Sequence, residues 1–187
     1  MRVLNISRAA AIATPWRVLA TCLLLVLALP THAAARGVDD AGKQFADIAE
    51  RYFHDRMNLD PHAASSVLGE ARFEDKLLIT IAPTEIARNL ASLKRTAREL
   101  KALDPTRLSD RDRLSYDLLR EEVQVALDGF AYPSHLMPID SFGGVSLQVA
   151  GYGTGDQIQP LKTIRNYDNY LRRLRRLPAW NAQAIAN

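Results

Sequence analysis

Cysteine is nearly absent. Cys22 stands alone among 187 residues, which excludes a disulfide framework and every multi-thiolate zinc site. Histidine is scarce: His32, His54, His62 and His135 are the only four. Acidic residues are missing from the first 35 positions, which hold Arg2, Arg8 and Arg17. Setting those three aside from the 24 Lys and Arg leaves 21, equal to the 21 Asp and Glu. The formal charge of +3 therefore belongs to the N-terminus, and the electrostatic ground for nucleic-acid binding disappears. Internal repeats and low-complexity tracts are also missing. With 48% hydrophobic and 24% charged residues, a disordered or collagen-like chain is excluded.

What is present begins with a leader. Residues 1–17 are basic, 18–29 form the apolar run VLATCLLLVLAL, Pro30 breaks it, and small residues follow at 33–35. The run falls short of the roughly 20 residues that a bilayer span needs. The pattern is that of a secretory signal peptide over residues 1–35, with cleavage expected after Ala33 or Ala35. Cys22 lies within the apolar run after Thr21, which does not suit a lipoprotein cysteine. The expected product, residues 36–187, is exported to the periplasm or the extracellular space. It has no stable membrane span and no cysteine, so its stability must come from apolar packing.

The rest of the chain reads as all-α. Phe45, Ile48, Ala49, Tyr52 and Phe53 mark a helix over about 40–57. Asp60 and Pro61 are suited to cap and open a short helix that ends near Gly69, and 70–82 reads as irregular. Pro83 opens a helix with one stripe of Ile86, Leu90, Leu93, Ala97 and Leu100. Ser109 with Asp112 resembles a capping box for a helix reaching Gly129, with Leu114, Leu118 and Val125 facing inward. Residues 130–162 are rich in Gly and Pro and carry only Asp140, Asp156 and Lys162 as charges. Val145, Leu147 and Val149 alternate, which permits one short strand. A weakly charged loop of this length is uncommon unless it is functional or packed. Thr163 caps a last helix through Tyr167, Tyr170, Leu171, Leu174 and Leu177, which Pro178 kinks or restarts. The helical pattern is still running at Asn187, as in an incomplete part of a larger helical domain. The expected architecture is an irregular helical bundle of three to five helices with one long Gly/Pro-rich loop.

Motifs that carry chemistry are thin. His54 and His62 are eight apart with Pro61 between them, unlike the paired histidines of a helical zinc site; surface or capping roles are the default. The run GYGTG at 151–155 has Asp156 where the dinucleotide fingerprint needs glycine, and no Gly-Lys-Ser/Thr follows. Arg172, Arg173, Arg175 and Arg176 lie in LRRLRRL and read as a solvated helix face. No serine sits in Gly-x-Ser-x-Gly or Ser-x-x-Lys. Glu121 and Glu122 read as partners of Arg120 or of a neighbouring helix. The candidate cleft-lining residues are His135, Gly143, Gly144, Tyr152, Gly153, Thr154 and Gly155. No catalytic, cofactor-binding or metal-ligating residue is assigned.

Several segments in order carry a family resemblance. They are AERYF at 49–53, LDP at 59–61, LG at 68–69, LSDRDRLSYDLL at 108–119 and MPI at 137–139. Then come GG at 143–144, GTG at 153–155, QPLKT at 159–163, YDNYL at 167–171 and AQAIAN at 182–187. Over about residues 42–187 the chain resembles the N-terminal part of the bacterial family named domain of unknown function 885. The resemblance implies a mostly helical, exported and longer protein, grouped with zinc metallopeptidases that act on peptide substrates. It also implies a histidine–glutamate metal motif ending in Gly-His-His in the C-terminal half. There, histidines would hold zinc and the glutamate would polarise water. No segment here matches that motif, so no residue of this chain inherits a metal or general-base role, and zinc is expected only for the full-length family. The chain then reads as the non-catalytic wall of a cleft, with 142–160 nearest the substrate and with Trp180, Ile185 and part of the Gly-rich loop left exposed as an apolar patch. The alternative is a free-standing exported helical binding module that uses an exposed Tyr/Gly loop.

Overall fold

The structure, a computed structural model, describes residues 30–139, 144–155 and 159–187, with side chains from residue 40 onward. Cys22, Gly143 and most of the 1–35 leader lie outside the described residues.

Helix α1 (Pro30–Leu59) begins ten residues earlier than the apolar pattern predicts and ends where Asp60 and Pro61 follow. Helix α2 (Pro61–Ser66) starts as expected: Pro61 occupies its first turn and the Asp60 carboxylate accepts from the Ala63 amide at 3.0 Å. That bond satisfies one of the orphan amides of the first turn. Gly69 then takes φ +69°, a left-handed turn open to glycine. One turn of 3-10 helix, Ala71–Phe73, interrupts the otherwise irregular 70–82.

Helix α3 (Pro83–Ala102) buries Leu93 and Leu100, the middle and the end of its predicted stripe. Asp104 caps the short turn Pro105–Arg107. Helix α4 (Asp110–Gly129) is capped by Ser109, whose Oγ accepts from the Asp112 amide at 3.2 Å and donates to the Asp112 carboxylate at 2.7 Å. Helices α1, α3 and α4 pack into a three-helix core around Phe45, Ile48, Tyr52, Leu93, Tyr116 and Val123.

The inward face of α4 differs from the sequence expectation. Leu114, Leu118 and Val125 are exposed, and Tyr116 and Val123 are buried instead. Apolar residues lie on two sides of this helix, so periodicity alone does not choose between them. Tyr116 decides the rotation. Its ring meets Phe45 edge-on at 6.1 Å and its hydroxyl donates to the Leu100 carbonyl at 3.2 Å.

The segment 144–187 builds a second core. Val145, Leu147 and Val149 form no strand but lie on helix α5 (Val145–Gly151), which runs into the 3-10 turn Tyr152–Thr154. Positions 145 and 149 are also one helical turn apart, so both fit one buried face while Leu147 points out. Nothing among the described residues offers an edge to pair with. Helix α6 (Ile164–Leu174) opens on a full capping box between Thr163 and Asn166. Helix α7 (Leu177–Ala186) restarts at Pro178. Trp180, expected to be exposed, is buried with Leu77, Val149 and Tyr152, whereas Ile185 is exposed as expected. Among the described residues the fold is all-α, and no helix is long and apolar enough to cross a membrane.

Candidate functional site

The densest polar constellation lies where α2, the 70–78 segment, α5 and α6 meet, and Arg173 is at its centre. LRRLRRL is not one solvated face. Arg172, Arg175 and Arg176 are exposed, but Arg173 is 0% exposed. A buried guanidinium is tolerated only with its donors satisfied. Here Nε donates to the Lys76 carbonyl at 3.1 Å, and one terminal nitrogen donates to Gln159 Oε1 at 2.9 Å. The other terminal nitrogen donates to the Ser65 hydroxyl at 2.7 Å and the Phe73 carbonyl at 2.8 Å. The group also lies 5.3 Å from the Tyr152 ring centroid. Burial lowers its pKa, while Tyr152, Glu74 and Asp75 favour the charge.

His62 is the second member. The cap at Asp60 places it in the first turn of α2, facing α5. Nε2 lies 2.7 Å from Gln148 Oε1, Nδ1 lies 3.2 Å from Ser66 Oγ, and the Tyr152 hydroxyl lies 2.5 Å from Nε2 and 2.8 Å from Nδ1. Burial, with Arg173 adding to it and Asp60 opposing, pushes the ring below its usual pKa. Glu74 is buried close by and accepts from Asn166 and Asn169 at 3.1 Å each.

The candidate cleft residues divide between two places. Tyr152, Gly153, Thr154, Gly155 and Gly144 belong to the α5 arm, and Tyr152 is buried, not part of an exposed Tyr/Gly loop. Gly155 takes φ +75°, and a Cβ on Gly153 would come within 2.8 Å of the Tyr170 hydroxyl. His135 lies apart, lining a cavity of about 610 Å³ between α3 and the end of α4. The Asn187 side chain reaches this region and donates to the His135 carbonyl at 3.0 Å and the Ile81 carbonyl at 3.1 Å.

The described residues do not fit a zinc ion. Among the described residues no three His, Cys, Asp or Glu side chains gather as a ligand set. His54 pairs on the surface with Glu50 at 3.8 Å. Both nitrogens of His62 are engaged inside the fold. Glu122 accepts from the Tyr52 hydroxyl at 2.7 Å, which is the helix-to-helix pairing expected of it, and Arg120 pairs with Asp117.

Residues 61–187 match the family described as "Bacterial protein of unknown function (DUF885)". The chain belongs to the DUF885 family. The match covers α2 to α7 and so includes both members of the polar node. No curated protein and no solved structure matches the chain. Sequence reasoning missed Arg173 and His62 as a joint site of this DUF885 chain. The available signal was a basic run with one arginine too many for its outer face, together with a histidine held in place by an Asp-Pro cap.

Proposed function

We propose that this chain is the N-terminal, non-catalytic helical portion of an exported DUF885 protein that resembles a zinc-dependent peptidase. The observation that carries the reading is the family match over residues 61–187, taken with a sequence in which none of the four histidines is followed by glutamate. The geometry fits a supporting role. The groups best suited to acid–base work, His62 and Tyr152, are bonded to one another and to Gln148. They hold α5 on α2. In this role the chain forms a wall beside a peptide-binding cleft, and the zinc ligands are contributed by residues other than its own.

The test is an assay of the purified chain with quenched fluorescent peptides, with and without added zinc. No hydrolysis above buffer is expected, nor any bound zinc after desalting. Hydrolysis that a chelator abolishes would overturn the reading. N-terminal sequencing of the exported product is expected to begin after Ala33 or Ala35.

A further inference from the structure

The exposed arginines of LRRLRRL are not scattered. Arg172 lies in the last turn of α6 and Arg176 in the turn between α6 and α7. Both line a cavity of about 530 Å³, which Lys76 and Arg88 also line. The size falls in the usual range for small-molecule pockets, about 300–1,000 Å³. Four cations thus reach one pocket from the 74–78 segment, α3, the end of α6 and the turn that follows it. Two carboxylates compensate in part: Asp75 pairs with Arg172 at 3.7 Å, and Glu85 pairs with Arg88 at 2.5 Å. Lys76 and Arg176 form no ion pair among the described residues, so positive charge remains in surplus. Below the cations the lining turns apolar with Phe73 and Leu77, both buried. The Lys76 ammonium lies 4.6 Å from the Phe73 ring centroid.

The wall that carries these groups is rigidly held. Arg173 grips the carbonyls of both Phe73 and Lys76 from behind, so the backbone between them, with Asp75, is fixed before any ligand arrives. Preorganisation of this kind lowers the cost of binding.

We propose that this pocket binds a small phosphate ester with an apolar body. Arginine forks match phosphate oxygens two at a time, Lys76 and Arg176, without an ion pair among the described residues, supply attraction, and Phe73 with Leu77 receives the apolar part. Inorganic phosphate gains the first two contributions and loses the third.

The experiment is calorimetric titration of the purified protein at low salt with phenyl phosphate, inorganic phosphate and phenol. Phenyl phosphate is expected to bind one to one, about tenfold or more tighter than inorganic phosphate, and more weakly as salt rises. Phenol should not bind. Arg176→Glu and Lys76→Glu are surface changes and should weaken binding about tenfold or more while the melting temperature holds. Asp75→Asn removes the competing carboxylate from Arg172 and should tighten binding. Absence of saturable phenyl phosphate binding to folded protein would overturn the proposal. Equal affinity for the two phosphates, or indifference to all three substitutions, would also overturn it.

Discussion

The Arg173 guanidinium donates to the Ser65 hydroxyl at 2.7 Å and so joins α6 to α2 across 108 positions of sequence. The same group holds two carbonyls and the Gln159 amide, so it ties together four separate stretches of chain. Methionine fills a similar volume but supplies no donor. Arg173→Met should therefore leave several buried acceptors unpaired and cost about 2–4 kcal/mol. For a domain of this size that lowers the melting temperature by roughly 5–15 °C. Arg173→Lys should fall in between, because an ammonium cannot span the fork. A melt unchanged in the methionine variant would show that the network contributes nothing net.

Acidification should loosen the same region. The folded protein holds His62 neutral, below its ordinary pKa, because the ring is buried and Arg173 lies nearby. The unfolded chain takes up a proton near pH 6.5, as an ordinary histidine does at about that value. Protons then favour the unfolded state, so the contribution is complete above about pH 6.5 and is lost as pH falls below it. His62→Gln cannot titrate. Thermal melts between about pH 8 and pH 5 should show a shallower decline for this variant than for the native chain. Parallel curves would contradict the assignment.

The rotation of α4 can be tested with two chemically identical changes two positions apart. Val123 is 1% exposed and Val125 is 60% exposed. Val123→Ala should cost about 2 kcal/mol from lost burial and the space left behind. Val125→Ala should stay within about 0.5 kcal/mol of the parent. Denaturant melts would reveal a reversed order if the helix faced the other way.

A close approach limits position 153. Alanine there would place its methyl 2.8 Å from the Tyr170 hydroxyl and 3.4 Å from the ring carbon that bears it. Gly153→Ala should destabilise by about 1–3 kcal/mol through overpacking. Adding Tyr170→Phe removes the nearest atom and should restore part of the loss. A double variant no more stable than Gly153→Ala alone would place the strain elsewhere.

Local chemistry was the most legible part of this fold. The caps at Asp60, Ser109 and Thr163 and the helix openings at Pro61 and Pro83 could be read directly, whereas Pro178 left a kink and a restart equally open. Each depends only on residues within one turn. The α3 stripe was legible because a single face is apolar. Two features were not. The α4 face depends on an aromatic contact with Phe45, about seventy positions away. The 145–149 pattern fits both periods, and the choice turns on whether a neighbouring strand exists. The candidate site was harder still. The Gly-rich stretch reads as either functional or packed, and pattern alone does not choose; Val149 and Tyr152 within it are buried, and Arg173 looked like one charge among four. Its burial follows from acceptors on Ser65, Phe73, Lys76 and Gln159, which no local pattern brings together.

Trp180 is 2% exposed beside Leu77, Val149 and Tyr152, and it is the sole indole among the described residues. That placement gives the second core a built-in fluorophore, whereas the helices around Leu93 and Val123 carry phenylalanine and tyrosine but no tryptophan. Emission from the indole, followed alongside the far-ultraviolet dichroism of the long helices, would reveal whether the two halves of the molecule melt together or in succession.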